Sequence, residues 1–293
     1  MKNLIQTALA ALLLTPTVEA QILKPVPPAD VQILREAIGT RMTAQPSKPR
    51  TVLVFWRCEG YTHTEAIEYG NQAFEIAAQQ TQAFRVEFSS DYRALTDTNK
   101  LLRYDAVVLN NTTHLKAKDH PALVPNLTAF VKSGRGLCVI HAGADNFYDS
   151  PEAAEMVGGL FDGHPWGGGG TWAFKLDEPG HPLNRAFGGQ GFKAGDEIYQ
   201  QKSPPYDRSK LRVLVSLDLA DAKTAAAKNQ KRADKDFAVS WVRPYGAGRV
   251  FYTSFAHDRR AYLNKATLGH ILDGLQYTLG DLKADDAANT KTR

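Results

Sequence analysis

The chain has 293 residues, 43% of them hydrophobic, and a formal net charge of only +4. That length can bury a sizeable core in one large or two small α/β domains, and the basic residues are interleaved with acidic ones, which excludes the one-sided footprint of a nucleic-acid binder. Two cysteines and no internal period exclude a disulfide-stapled scaffold and a repeat array.

In chain order, the first segment reads as a targeting signal. Lys2 precedes an apolar run, Leu4 to Leu14, that is too short to span a bilayer, and Val18-Glu19-Ala20 supplies a small-x-small cleavage site. Residues 1–20 are therefore expected to be removed, leaving a periplasmic or secreted protein that begins at Gln21 and has no membrane span. Residues 21–50 form an N-terminal arm, in which Asp30 is expected to cap a helix from Val31 to Ile38.

The core begins at Thr51. Thr51 to Trp56 has the β-branched content of a central strand, and Glu65 to Gln80 behind it is amphipathic, with Thr62 or Thr64 as cap. His63 falls in the loop between them. Phe84 to Phe88 is a second strand, Asp97 to Tyr104 a short helix, and Asp105 to Asn110 a third strand whose end is crowded by Asn111, Thr112, Thr113 and His114. Pro121 to Lys132 is the next helix. The strand Leu137 to Ile140 then delivers His141 at its carboxyl end, where open α/β sheets bind ligands. Strand and helix alternate with short loops, so the expected fold is α/β: a doubly wound, mostly parallel, flavodoxin-like sheet with extra strands in the C-terminal half.

Those extra strands follow a helix from Pro151 to Val157 and a glycine run, Gly167 to Gly170, which is not a phosphate loop because no Gly-Lys-Ser/Thr follows it. Thr171 to Leu176 is extended, Phe192 to Gln200 reads as a half-exposed strand carrying Asp196 and Glu197, and Leu211 to Leu217 and Phe237 to Arg243 are apolar strands. Lys223 to Lys235 reads as a solvated excursion. Arg249 to Ser254 leads to His257 and Asp258, and the closing helix, Asn264 to Leu279, has its leucines on one face. The domain is expected over 51–282, with a polar, disordered tail over 283–293. Cys138 lies mid-strand and Cys58 follows another strand; reduced thiols are expected, a bridge between them being the alternative.

Gly134 to Ala142, Gly163-His164-Pro165, His181-Pro182, Asp196 to Tyr199, and Gly248 to Ser254 with His257, taken in this order, resemble the ThuA-like (trehalose utilisation) family, over about Thr51 to Leu279. The resemblance implies a class I glutamine amidotransferase-like fold and a role in carbohydrate metabolism. It departs from the amidotransferases at one position. Where they carry a nucleophilic cysteine in the strand-to-helix elbow, this chain resembles them with His141, and His257 resembles the partner histidine. Thioester chemistry on glutamine is thereby disfavoured.

Two classes of function remain. One is an enzyme acting on a sugar, keto-sugar or glycoside by acid–base chemistry of an isomerase, lyase or hydrolase type, with His141, His257 and Glu197 as catalytic candidates. His63, Thr113, Trp166, Tyr199 and Asp258 are its substrate-binding candidates. A divalent metal, zinc or manganese, would draw on His141, His164 and His181 with Glu197. The other class is a non-catalytic carbohydrate-binding protein on the same scaffold. Either way the expected partner is a small carbohydrate, with a homo-oligomer left open.

Overall fold

The computed structural model describes residues 23–289, so residues 1–22, which include the expected signal segment, and residues 290–293 lie outside it. The arm supplies α1 (Pro28–Ile38), which starts earlier than expected because Pro28 takes the first helical position, where a missing N–H costs nothing. Asp30 is not its cap; the carboxylate takes the Tyr69 hydroxyl instead. Strand β1 (Thr51–Phe55) is followed by α2 (Thr64–Thr81), β2 (Arg85–Ser89), and two short helical turns, α3 (Arg93–Thr96) and α4 (Thr98–Leu101), in place of the single helix expected. Then come β3 (Ala106–Asn110), α5 (Leu123–Lys132), β4 (Gly136–Ile140) and α6 (Pro151–Val157). The second half contributes β5 (Thr171–Leu176), β6 (Phe192–Gly195), β7 (Arg212–Leu217), the short α7 (Ala222–Ala225), β8 (Ala238–Tyr245), β9 (Gly248–Thr253), α8 (Arg259–Leu263) and α9 (Lys265–Thr278).

The strands form one nine-stranded sheet in the order β2-β1-β3-β4-β9-β8-β7-β5-β6. From β2 to β9 neighbours run parallel, and from β9 to β6 they run antiparallel, so the sheet is mixed: parallel in its first half, as expected, with the extra C-terminal strands added antiparallel. The period of two in each strand divides the core. Val52, Val54, Val108, Cys138 and Ile140 face α1, α2 and α9, whereas Leu53, Phe55, Val107, Leu137 and Val139 face α5 and α6. With both faces covered, β3 and β4 are buried along their whole length.

Two details correct the sequence reading. Residues 196–201 are not a half-exposed strand: β6 ends at Gly195, Asp196 is buried, and the chain folds inward through isolated bridges from Ile198 to Trp166 and from Gln201 to Phe161. The polar segment after α9 is not loose up to Asn289, because Asp286 accepts from Tyr277, Asp285 pairs with Arg212, and Asn289 bonds both backbone groups of Val213. No disulfide joins Cys58 and Cys138; both are buried and reduced.

Candidate active site

The register of the parallel sheet decides what meets at its carboxyl edge. Ile140 pairs with Thr253, so the chain leaving β4 and the chain leaving β9 emerge side by side, bringing His141 and the segment from Ser254 to His257 together. His141 takes a left-handed backbone (φ 45°), an unusual conformation for a non-glycine residue, in a tight turn over His141–Ala144. Gly143 makes that turn possible, since a Cβ there would lie 2.6 Å from a methyl of Val139 and 3.2 Å from the Leu109 carbonyl oxygen.

The turn fixes the imidazole. Nδ1 of His141 lies 2.7 Å from the carbonyl oxygen of Ser254. A carbonyl only accepts, so Nδ1 carries the proton and Nε2 presents a lone pair. That Nε2 lies 3.3 Å from His257 Nδ1 and 3.8 Å from Glu197 Oε1, and Glu197 Oε1 is 3.4 Å from His257 Nδ1. His63, the last residue before α2, stands edge-on to both rings, 5.1 Å from His141 and 5.0 Å from His257 between centroids. One ligand atom from each of the four side chains lies within 4.8 Å of all the others.

Burial sets the protonation of two of them. His141 is fully buried, and desolvation, reinforced by the neighbouring imidazoles, holds its pKa well below the ordinary histidine value. Desolvation, with His257 and His164 adding to it, pushes His63 down to about 3. Both are neutral at neutral pH and keep a nitrogen lone pair. The Nδ1 atom of His63 is buried and has no hydrogen-bond partner.

Asp196 holds the other half of the cluster. One of its oxygens accepts from the backbone N–H of Glu197 (2.9 Å) and of His257 (3.1 Å), and the other accepts from Ala256 N–H (2.8 Å). One carboxyl group thus joins the loop carrying Glu197 to the loop carrying His257. Burial pushes its pKa up to about 7, opposed by the three amide donors, which favour the carboxylate. Around the rim, half-exposed His164 places Nδ1 3.4 Å from Glu197 Oε2, and Tyr61, 70% exposed, sits edge-on to His63 at 4.8 Å.

Of the residues singled out from sequence, His63, His141, Glu197 and His257 converge, with His164 beside them. The others do not join the cluster. His181 is buried elsewhere: it accepts from Leu183 N–H at the start of a short 3-10 turn, and its other nitrogen bonds the Asp285 carbonyl. Trp166 is fully buried against Phe237 and donates to the Thr224 carbonyl, so it offers no open face to a ligand. Buried Thr113 staples a loop, donating to the Tyr61 carbonyl and accepting from Gly60. Tyr199 is buried behind His141, with ring centroids 4.3 Å apart, and Asp258 caps α8 and pairs with Arg260. Asp196 went unassigned in the sequence, where the adjacent acids 196 and 197 were its only signal.

Among the described residues no helix is long and apolar enough to cross a membrane. An α/β sheet with a histidine and carboxylate cluster at the carboxyl edge of its parallel strands defines the class of protein. The chain belongs to the ThuA family, described as trehalose utilisation, whose model matches residues 51–278. Among solved structures it is similar to a ThuA-like protein from Bacteroides uniformis, with 18% identity, a TM-score of 0.60, and coverage of 80% of this chain and 94% of the other. It is also similar to a ThuA-like protein from Parabacteroides merdae, with 16% identity, a TM-score of 0.56, and coverage of 79% and 90%. At such identities the likeness concerns the fold. No curated protein matches the chain by sequence.

Proposed function

We propose that the protein is an exported, sugar-directed enzyme that works by proton transfer next to a carbonyl, on a keto-sugar or keto-glycoside. The observation that carries this reading is the convergence of His141, His257 and Glu197 at one sheet edge, with neutral imidazole at His141 and Glu197 between His257 and His164. The strand order β2-β1-β3-β4 supports a flavodoxin-like parent for the parallel half, in which ligands sit outside the carboxyl ends of the strands. Family membership supports a carbohydrate as the partner. Nothing favours glutamine hydrolysis: histidine occupies the elbow, and Cys138 is a mid-strand thiol whose pKa burial pushes upward.

In the chemistry proposed, the base removes the proton on carbon next to the carbonyl, and the electron pair moves onto the carbonyl oxygen. Where that carbon bears a hydroxyl, return of a proton to the former carbonyl carbon, with the hydroxyl proton passing to the former carbonyl oxygen, gives isomerisation. Expulsion of an oxygen substituent from the β carbon, protonated as it leaves, gives elimination, and addition of water then completes a hydrolysis. His141, whose Nε2 presents a lone pair, suits the base, and His257 and Glu197 suit the return of the proton. A divalent ion of the zinc or manganese type suits donors of this kind.

The experiment is turnover of a panel of keto-disaccharides and keto-glycosides by full-length and mature protein, alongside His141→Gln, His257→Gln and Glu197→Gln. A positioned acid or base contributes ~10²–10⁴-fold in rate, so each variant should lose at least about a hundredfold while remaining folded. Near-full activity in His257→Gln on an established substrate would refute the assignment. Sugar binding without turnover in the parent protein would instead identify a carbohydrate-binding module. Export is read out separately, as a secreted mass that begins at Gln21.

A further inference from the structure

We propose that His63, His141, His257 and Glu197 form a divalent metal centre of the zinc or manganese class that takes an α-hydroxyketone oxygen as an exchangeable ligand. The inference rests on reading this cluster as the reaction centre. It differs from the ligand set expected from sequence, because His181 lies elsewhere in the fold and His164 contacts only the outer oxygen of Glu197.

The spacings carry the argument. Donors held at ~2.0–2.2 Å from one ion in a tetrahedral arrangement are about 3.4 Å from each other. The cluster has 3.3 Å between His141 Nε2 and His257 Nδ1, 3.4 Å between His257 Nδ1 and Glu197 Oε1, and 3.8 Å between His141 Nε2 and Glu197 Oε1. Direct charge-assisted hydrogen bonds would be about 2.7–2.9 Å, well inside these separations. These three contacts have the edge lengths of a coordination polyhedron, and a nitrogen of His63 lies within 4.8 Å of all three donors.

A second observation points the same way. The buried ring of His63 stands beside this triangle, and its Nδ1 atom has no hydrogen-bond partner, a costly arrangement for a buried polar atom unless something occupies the space it faces. His141 has the arrangement of a metal-ligating imidazole: its remote N–H donates to a backbone carbonyl, which fixes the ring and directs the other nitrogen inward. Asp196 holds the backbone of the remaining two ligands, Glu197 and His257, through three N–H donors, so the donors are preorganised on two joined loops.

Four donors at tetrahedral spacing accept one more ligand by expansion to five-coordination, and the exposed side of the cluster, that of His164 and Tyr61, is where a ketone oxygen would enter. With the lone pairs of His141, His257 and Glu197 on the ion, proton transfer falls to His164, which lies outside the ligand set, against Glu197 and open to solvent.

The test uses full-length protein freed of metal with a chelator, then titrated with Zn²⁺ alone against a chromophoric competitor and, separately, with Co²⁺ followed by its visible absorption. One equivalent should bind. His63→Ala and His257→Ala should weaken Zn²⁺ binding at least about a hundredfold and abolish the Co²⁺ spectrum, whereas His164→Ala and His181→Ala should retain both. Circular dichroism confirms folding, and Glu197→Gln provides a further ligand variant should a histidine variant fail to fold. Absence of a one-equivalent site, or retention of it in folded His63→Ala, His257→Ala or Glu197→Gln, would overturn the proposal. Full turnover of a keto-sugar by protein that binds no Zn²⁺ would remove the metal and leave the proton-transfer reading intact. One-equivalent binding with no turnover of any sugar would do the reverse.

Discussion

His141, His63 and His270 share one physical condition: each is an imidazole whose charge the fold excludes. His270 is the simplest case, since its ring lies between the Leu183 carbonyl and the Ser240 hydroxyl, away from the cluster, and desolvation pushes its pKa down to about 4. The sign of the linkage follows. The unfolded chain binds protons at these histidines from about pH 6.5 downward, the folded chain only near 4 for His270 and near 3 for His63. Their contribution is therefore fully present above about pH 6.5 and is lost as the pH falls toward 4. For His270 alone the loss should be on the order of 3 kcal/mol at pH 4. Urea midpoints of metal-free protein at pH 7, 5.5 and 4.5 should fall steeply, and His270→Gln should flatten that fall. An unchanged slope in the variant would contradict the assignment.

At the scale of elements, the site depends on where β9 lies, and β9 is set by the hairpin it makes with β8. Gly246 turns with φ 61°, and Gly248 enters the strand against the end of α5. A Cβ at Gly248 would lie 2.0 Å from the Val131 carbonyl oxygen and 2.4 Å from that of Arg135, both backbone atoms that cannot rotate away. Gly248→Ala should therefore lower stability by about 3 kcal/mol or more, seen as a reduced urea midpoint at unchanged slope. A change within about 0.5 kcal/mol would show that the hairpin can shift freely.

The same elements show what could be read from sequence. Continuous apolar strands such as Val107 to Leu109 and Leu137 to Ile140 announce themselves because burial on both faces leaves no polar position. His141 and His257 were legible as groups at strand ends for the same reason. The segment after Gly195 was not, because Asp196 is buried by satisfying three backbone donors, and nothing in local composition distinguishes that from a solvated carboxylate. Trp166 and His181 were misplaced for a related reason: an aromatic or histidine next to proline in a loop looks accessible until distant residues, Phe237 and Asp285, cover it.

At the scale of the whole molecule, the site is assembled from parts of the chain far apart in sequence: the loop after β1, the turn after β4, the segment after β6 and the segment after β9. The central claim is that these parts make one centre for a sugar. It is tested most directly by a long-range ¹H–¹⁵N spectrum of the imidazole nitrogens, assigned by single His→Gln variants and recorded while a keto-disaccharide is added. The account predicts that His141 shows its proton on Nδ1, that the His63, His141 and His257 signals move together at one sugar concentration, and that His181 and His270 remain still. Shifts confined to histidines outside the cluster, such as His114 or His120, or no shift with any keto-sugar tried, would contradict it.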